Sequence, residues 1–321
     1  MKTIRAGVIG VGHLGYHHAR IYAALEGVQL VGVVDRSLEH AMRASADFGA
    51  PFFMDASELL AQGVDAVSVV VPTSAHKEVA LQCIAAGVDV LVEKPIAATI
   101  DEAEAIVNAA AKHGRLVQVG HIERFNGAVV ALMEAVKNPR FIECHRLSPY
   151  PNRGDDVSVV LDLMIHDLEI LLALVGSNVA QVDAVGVPVF SKFEDIANAR
   201  IRFESGCVAN VTSSRVSMEK MRKIRIFASD AYVSTDYSAQ EVIVYRKKPI
   251  ELTPDITPME LIDIEPLEVH KEEPLKRELA SFISCARDRS RPLVSGEDAL
   301  AALRLAQRVV DSIRAGALRE I

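Results

Sequence analysis

The chain has 321 residues, half of them hydrophobic, and a formal net charge of −8. That composition belongs to a globular protein of one or two domains and excludes a disordered or fibrous chain. The acidic balance argues against general binding to nucleic acid or anionic lipid, which needs clustered Lys and Arg. The acidity is local, since Pro249–Pro274 holds eight acidic residues and one base, and five of the thirteen prolines. That segment reads as an irregular surface excursion.

The first 120 residues alternate between two patterns. Short β-branched runs read as buried parallel strands at Ile4–Ile9, Leu30–Val34, Ala66–Val71, Val88–Val92 and Leu116–Val119. Helical periodicity fills the intervals His13–Leu25, Leu38–Phe48, His76–Ala86 and Asp101–Lys112, the last opened by Thr99-Ile100-Asp101-Glu102 as a capping-box pattern. Such alternation predicts βαβ units and a parallel, doubly wound α/β sheet over residues 1–122. Beyond it the pattern changes to one long apolar helix, Asp156–Leu174, and then strands at Val182–Val187, Ala197–Phe203, Val208–Ser214, Lys223–Ala228, Ala231–Thr235 and Glu241–Tyr245. Residues 123–321 therefore read as an α+β domain with a mostly antiparallel open sheet. Two helices close the chain, near Pro274–Arg289 and Ser295–Ile313, and the final one (about 295–315) is expected to pack back on the first domain.

The cysteines Cys83, Cys144, Cys207 and Cys285 are more than sixty residues apart, with no CxxC pair and no His cluster at metal-ligand spacing. No metal site and no disulfide framework is expected, and a reducing cytoplasm suits them. Met1–Arg5 runs straight into a strand, so no signal peptide is expected. The most membrane-like stretch, Val157–Val175, carries Asp162, His166, Asp167 and Glu169, which fits a buried helix better than a lipid-facing span.

Gly10-Val11-Gly12-His13-Leu14-Gly15 follows the first strand and opens the first helix, the context in which GxGxxG binds a dinucleotide. Gly10 permits a tight turn, Gly12 lets the backbone approach a pyrophosphate, and Gly15 allows close helix–strand packing. Asp35, twenty residues beyond, ends the second strand, where a carboxylate accepts from a ribose 2′-hydroxyl and disfavours a 2′-phosphate. NAD is therefore expected over NADP, with Arg36 beside it able to stack on adenine or meet a phosphate. Glu93-Lys94-Pro95 ends a later strand of the same sheet, and ligands bind beyond the carboxyl ends of such strands. That places Lys94 near a nicotinamide; a solvated lysine is the plain alternative. Asp162 and His166 are four apart on an apolar helix and share a face. They are either a satisfied core pair or an acid/base site with His166 adjusted by Asp162. Asp167 reads as a helix-surface or interface charge.

In this order the fingerprint Gly10–Gly15, Pro72-Thr73-Ser74-Ala75-His76, Glu93-Lys94-Pro95 and Asp162-x-x-x-His166 resembles the Gfo/Idh/MocA oxidoreductase family over the whole chain. The resemblance implies a Rossmann domain, a C-terminal domain used for contacts in a homodimer or homotetramer, a bound nicotinamide dinucleotide, and hydride transfer at a sugar or cyclitol carbon. It implies Lys94 and His166 as the catalytic pair with Asp162 beside them; which of the two is the base stays open. Pro72, Thr73 and His76 would lie along the cofactor, with His13, Leu14 and Glu93 also at its site. Gly120–Asn126 and Val160–Asp167 are similar to the branch that oxidises the 3-hydroxyl of UDP-N-acetylglucosamine for amino-sugar (lipid A or surface glycan) synthesis. Asp155-Asp156-Val157-Ser158-Val159 departs from the glycine cluster many members carry before that Asp. A nucleotide-sugar would draw on Arg124, Asn126, Arg146, Tyr150 or Arg153, since Arg suits a diphosphate. The basic stretch Arg215, Lys220, Arg222, Lys223 and Arg225 reads as a solvated sheet rim. The competing readings are an inositol or free-sugar dehydrogenase, and a non-catalytic NAD(H) redox sensor.

Overall fold

A computed structural model describes residues 2–150, 157–250 and 257–317. The chain divides into two compact units, one of residues 1–122 with 273–300, the other of 123–272 with 301–321.

The first unit carries β1 (Ile4–Ile9), α1 (His13–Ala24), β2 (Val28–Val34), α2 (Leu38–Phe48), β3 (Phe52–Phe53), α3 (Ala56–Leu60), β4 (Ala66–Val69), α4 (Thr73–Ala85), β5 (Asp89–Glu93), α5 (Ile100–His113) and β6 (Val117–Gly120). Its six strands are parallel in the order β3-β2-β1-β4-β5-β6. The order reverses between β1 and β4, the switch point at which doubly wound sheets open a crevice. Strands β4, β5 and β6 are buried at every residue, as a sheet covered on both faces requires. The expected strand and helix positions agree with this unit to within a few residues. The short β3 and α3 carry too few residues for a periodic signal. Thr99 caps α5 by accepting from Glu102 N–H at 3.2 Å, and Gly114 ends it in the left-handed region.

The second unit begins with a 3-10 turn at Ile122–Phe125, then α6 (Gly127–Ala135) and β7 (Phe141–Leu147). A π-helical turn at Val160–Met164 leads into α7 (Ile165–Val175). Strands β8 (Val179–Val187), β9 (Ile196–Phe203), β10 (Val208–Ser214), β11 (Met221–Phe227), β12 (Ala231–Asp236), β13 (Glu241–Lys247) and β14 (Ile262–Pro266) follow. They form one sheet in the order β14-β13-β12-β11-β7-β10-β9-β8, antiparallel except for the parallel pair β7–β10. Helix α6 is not among the expected elements, and two strands also differ from expectation. Strand β7 lies at the centre of the sheet although its buried positions Ile142, Cys144 and Arg146 include a charge that interrupts an apolar alternation. Strand β14 runs inside the acidic, proline-rich segment, paired to β13, with exposed acids that a sheet edge tolerates.

The chain ends with α8 (Pro274–Asp288) and α9 (Gly296–Ala317). Helix α8 belongs with the first unit, not with the second domain in which the sequence places it, while α9 from residue 301 groups with the second unit and not, as expected, with the first. Leu275, Leu279, Phe282 and Ile283 bury one face of α8 in the cluster formed by Ile4, Val8, Ile21 and Tyr22. The spacing of those four residues is that of a single apolar helix stripe. Phe282 is 0% exposed, so Phe282→Ala removes a full aromatic side chain from a packed core. It is expected to lower unfolding free energy by about 3–5 kcal/mol in urea titration.

Candidate functional site

The glycine loop after β1 is shaped by what its residues exclude. Gly10 has φ +89, and a Cβ there would lie 2.4 Å from the Val70 carbonyl oxygen. A Cβ on Gly15 would lie 1.8 Å from the Gly10 oxygen, so no side chain fits. At Gly12 a Cβ meets nothing within 4 Å, leaving the backbone open to a ligand. Helix α1 starts at this point with no side-chain cap and no acid in its first turn. Its N–H groups and positive dipole end therefore remain available to an anion. His13 and Leu14 are exposed on the same turn.

Asp35 at the end of β2 has a double task. Its Oδ2 accepts Val11 N–H at 2.8 Å and its Oδ1 accepts Ser37 N–H at 2.8 Å. The carboxylate thus braces the glycine loop while its remaining lone pairs stay able to accept hydroxyls. Arg36 is exposed beside it. Across the switch point, Pro72 and Thr73 begin α4, both at least partly exposed. His76 is buried, with its two ring nitrogens each 2.9 Å from a backbone oxygen, of Pro95 and of Val71. Burial pushes its pKa down, against the two carbonyls, each of which calls for a ring N–H. It ties the turn after β5 to the turn after β4.

Glu93 and Lys94 stand at the end of β5. Glu93 is buried, and its Oε2 accepts Lys94 N–H at 3.2 Å. A Cβ on Gly120 would lie 2.7 Å from both Glu93 carboxylate oxygens, so glycine on β6 is what admits the side chain. His18 Nε2 lies 3.3 Å from Glu93 Oε1. Lys94 is half-buried.

In the second unit, Asp162 lies in the π-helical turn and His166 in the first turn of α7. Both are half-buried. Ile165 N–H donates to Val160 O, the i→i+5 bond of a widened turn, a feature that marks functional positions in helices. Asp167 is not a surface charge: it is 2% exposed, and its two oxygens accept a bidentate pair from Arg146 at 2.9 and 2.8 Å. Arg146 also donates to Glu123 at 2.8 Å. Burial alone would lower the Arg146 pKa, but Asp167 and Glu123 outweigh it and raise it well above the usual value. Arg124 donates to buried Glu169 at 2.6 Å. Asn126 caps α6 through Ala128 N–H and donates to the Tyr237 carbonyl. These three residues, expected to meet substrate, are thus buried and bonded to protein groups; Arg146 fixes α7 to the sheet and Arg124 fixes it to the 3-10 turn. Tyr150 packs edge-on against exposed Phe190. Arg153 lies outside the described residues. Arg215, expected on a solvated rim, is fully buried and donates to Asp195 at 2.8 Å. Asp195 is buried too, which would raise its carboxyl pKa. N–H donors from Ser191, Phe190 and Val189, with Arg215, instead hold it well below the carboxylate range.

Residues 4–121 match the Gfo/Idh/MocA oxidoreductase family, NAD-binding Rossmann fold, and residues 128–234 match the Gfo/Idh/MocA C-terminal domain. The chain belongs to the Gfo/Idh/MocA family. It is a nicotinamide-dependent oxidoreductase, and the glycine cradle, the uncapped α1 terminus and Asp35 fit that cofactor. The chain is 41% identical over 77% of its length, and 78% of the relative's, to UDP-N-acetylglucosamine 3-dehydrogenase of Acidithiobacillus ferrooxidans. A solved structure of the enzyme of that name from the same organism superposes with a TM-score of 0.90, at 35% identity over 98% of this chain and 99% of that one. Inositol 2-dehydrogenase of Agrobacterium fabrum is 36% identical over 53% of each chain. The sequence alone did not disclose that Glu123 and Glu169 pair with buried arginines, or that His18 lies beside Glu93. Glu123 lay inside a motif already noted, whereas His18 carries no signal beyond its place on the buried face of α1.

Removing the Arg146 guanidinium strands two buried carboxylates. Arg146→Ala is expected to reduce unfolding free energy by about 3–5 kcal/mol in denaturant titration. Arg146→Lys, which restores charge but not the bidentate fork, is expected to recover part of it.

Proposed function

We propose that the chain is an NAD-dependent dehydrogenase that oxidises the 3-hydroxyl of UDP-N-acetylglucosamine or a related UDP-sugar. One observation carries the choice of substrate. The likeness to the Acidithiobacillus enzyme runs through both units at 35–41% identity, whereas that to the Agrobacterium inositol enzyme covers about half of the chain. NAD is favoured over NADP because a 2′-phosphate would meet the Asp35 carboxylate.

When bound, the cofactor supplies the hydride acceptor. The hydroxyl oxygen gives its proton to His166 or Lys94 as its carbon gives up hydride, which leaves a ketone and completes a two-electron oxidation. With His166 as the base, the Lys94 ammonium stabilises the developing alkoxide charge, an effect that grows as water is excluded; with Lys94 as the base, it enters as the free amine. Asp162 orients and tunes the His166 imidazole. Glu93 holds the Lys94 backbone at the strand end.

Lys94→Ala is expected to abolish turnover, followed at 340 nm with a coupled aminotransferase that draws off the ketone, and to leave NAD affinity nearly intact. A loss smaller than about tenfold removes the role given to Lys94. UDP should raise the melting temperature selectively; stabilisation by inositol and not by UDP would favour the inositol reading.

We also infer self-association as a homodimer or homotetramer. Phe141, Phe227, Tyr232 and Tyr245 pair directly across β7, β11, β12 and β13, with neighbouring ring centroids 4.8–5.7 Å apart. A row of rings on one face of an open sheet suits burial against a second sheet. Sedimentation should show a dimer or tetramer, and Tyr232→Glu should shift it toward monomer.

A further inference from the structure

Behind Glu93 the first unit holds ionisable groups that the proposed chemistry leaves unused. Glu278 of α8 is 0% exposed, and neither of its carboxyl oxygens has a hydrogen-bond partner among the described residues. Its backbone carbonyl accepts from Gln118 Nε2 of β6 at 3.1 Å, and Gln118 Oε1 also has no partner among the described residues. His18 of α1 is fully buried beside Glu93. Tyr22, one turn further along α1, shares a 2.8 Å hydrogen bond with Ser68 of β4. The titratable groups gathered here are Glu93 from β5, His18 and Tyr22 from α1, and Glu278 from α8; Ser68 and Gln118 add uncharged polar groups from β4 and β6.

The two carboxyl groups are provided for unequally. Glu93 accepts Lys94 N–H at 3.2 Å, and the His18 ring stands 3.3 Å from it without a hydrogen bond among the described residues. Glu278 has no cation and no donor, and a second carboxylate near the first is opposed by desolvation and by like charge. Burial, and then the charge of Glu93, push the Glu278 carboxyl well above the usual carboxylate range. Gly120 matters here too, because no side chain at that position could share the space taken by the Glu93 carboxylate.

We propose that Glu278 is a positioning residue held as the neutral acid, so that no buried charge on α8 disturbs the Glu93 side chain where it accepts Lys94 N–H and fixes the strand-end turn that presents Lys94. A second negative charge at Glu278 would repel the Glu93 carboxylate from its place against Lys94 N–H. The protonation state follows from the cluster alone; the effect on Lys94 rests on the dehydrogenase reading.

The test compares wild type with Glu278→Gln, the uncharged isostere, by urea unfolding between pH 5 and pH 8.5. A carboxyl whose folded pKa is raised stabilises the fold fully below its unfolded value, near 4.5. That contribution is lost as pH rises toward the folded value. The stability of Glu278→Gln relative to wild type should therefore grow by about tenfold in equilibrium constant per pH unit. A ratio independent of pH, or one that falls as pH rises, means an ionised, paired Glu278 and overturns the proposal. Should the variant not fold, infrared spectra of wild type labelled with 13C-glutamate decide the same point. The carbonyl stretch of a protonated acid persisting at pH 8 supports the proposal, and its absence refutes it. The positioning role is read from kcat against pH, where wild type should lose kcat toward alkaline pH more steeply than Glu278→Gln at unchanged KM for NAD. Superimposable profiles refute positioning. Failure of wild type to oxidise either UDP-N-acetylglucosamine or inositol would sink the dehydrogenase reading, and the unfolding and infrared results would still fix the state of Glu278.

Discussion

One guanidinium holds in place the helix of the second unit that carries His166. Arg146 points from the central strand β7 into a space closed to water, where its planar fork meets both oxygens of Asp167 and one of Glu123. A buried charge of this kind is tolerable only when its donors are answered with good geometry. Asp167 is the residue after His166, so the bidentate bond sets the rotation of α7 about its axis. Arg124 to Glu169, two residues further on, adds a second fixed point on the same helix. Apolar packing alone would leave a helix as hydrophobic as α7 free to settle at several rotations; two directional pairs select one.

The first unit obtains its precision by steric exclusion instead of charge. Gly10, Gly15 and Gly120 each stand where a Cβ would collide with backbone or carboxylate, and the space left empty is filled by a close backbone turn or by Glu93. Asp35 bonds to the glycine loop from the next strand, so the group suited to read the ribose also maintains the loop that would cradle the phosphates. The shape of the loop and the group that would meet a ribose therefore depend on one carboxylate.

The strands and helices of residues 1–122 were legible because parallel strands covered on both faces read as continuous apolar runs, and because the glycine spacing has few other uses. The catalytic candidates Lys94, Asp162 and His166 were legible as motifs, but their surroundings were not. Strand β7 was hidden since its inward position 146 is an arginine, and a hydrophobicity pattern scores that as outward. The same blindness placed Asp167 and Arg215 at the surface. Both are buried because each has a partner distant in sequence, Arg146 and Asp195. The π-helical turn around Asp162 was hidden for another reason: a single widened turn changes the hydrogen-bond ladder without changing the composition. Helix α8 joins the first unit through contacts with residues more than 250 positions earlier, which no local pattern reports.

The parallel pair β7–β10 also bears on the order in which the molecule can be made. Every other pair in that sheet is antiparallel, but β7 lies between β10 and β11, whose residues begin about sixty positions downstream. On the ribosome β7 must wait, with its apolar positions and Arg146 exposed, until the chain through Phe227 has emerged. Central pairings with such long sequence separation form slowly, and unpaired strands of this kind are where chaperones act. In the first sheet the wait is shorter, because Ile4 of β1 finds its first partner at Val28 of β2 and each later strand adds to one already made.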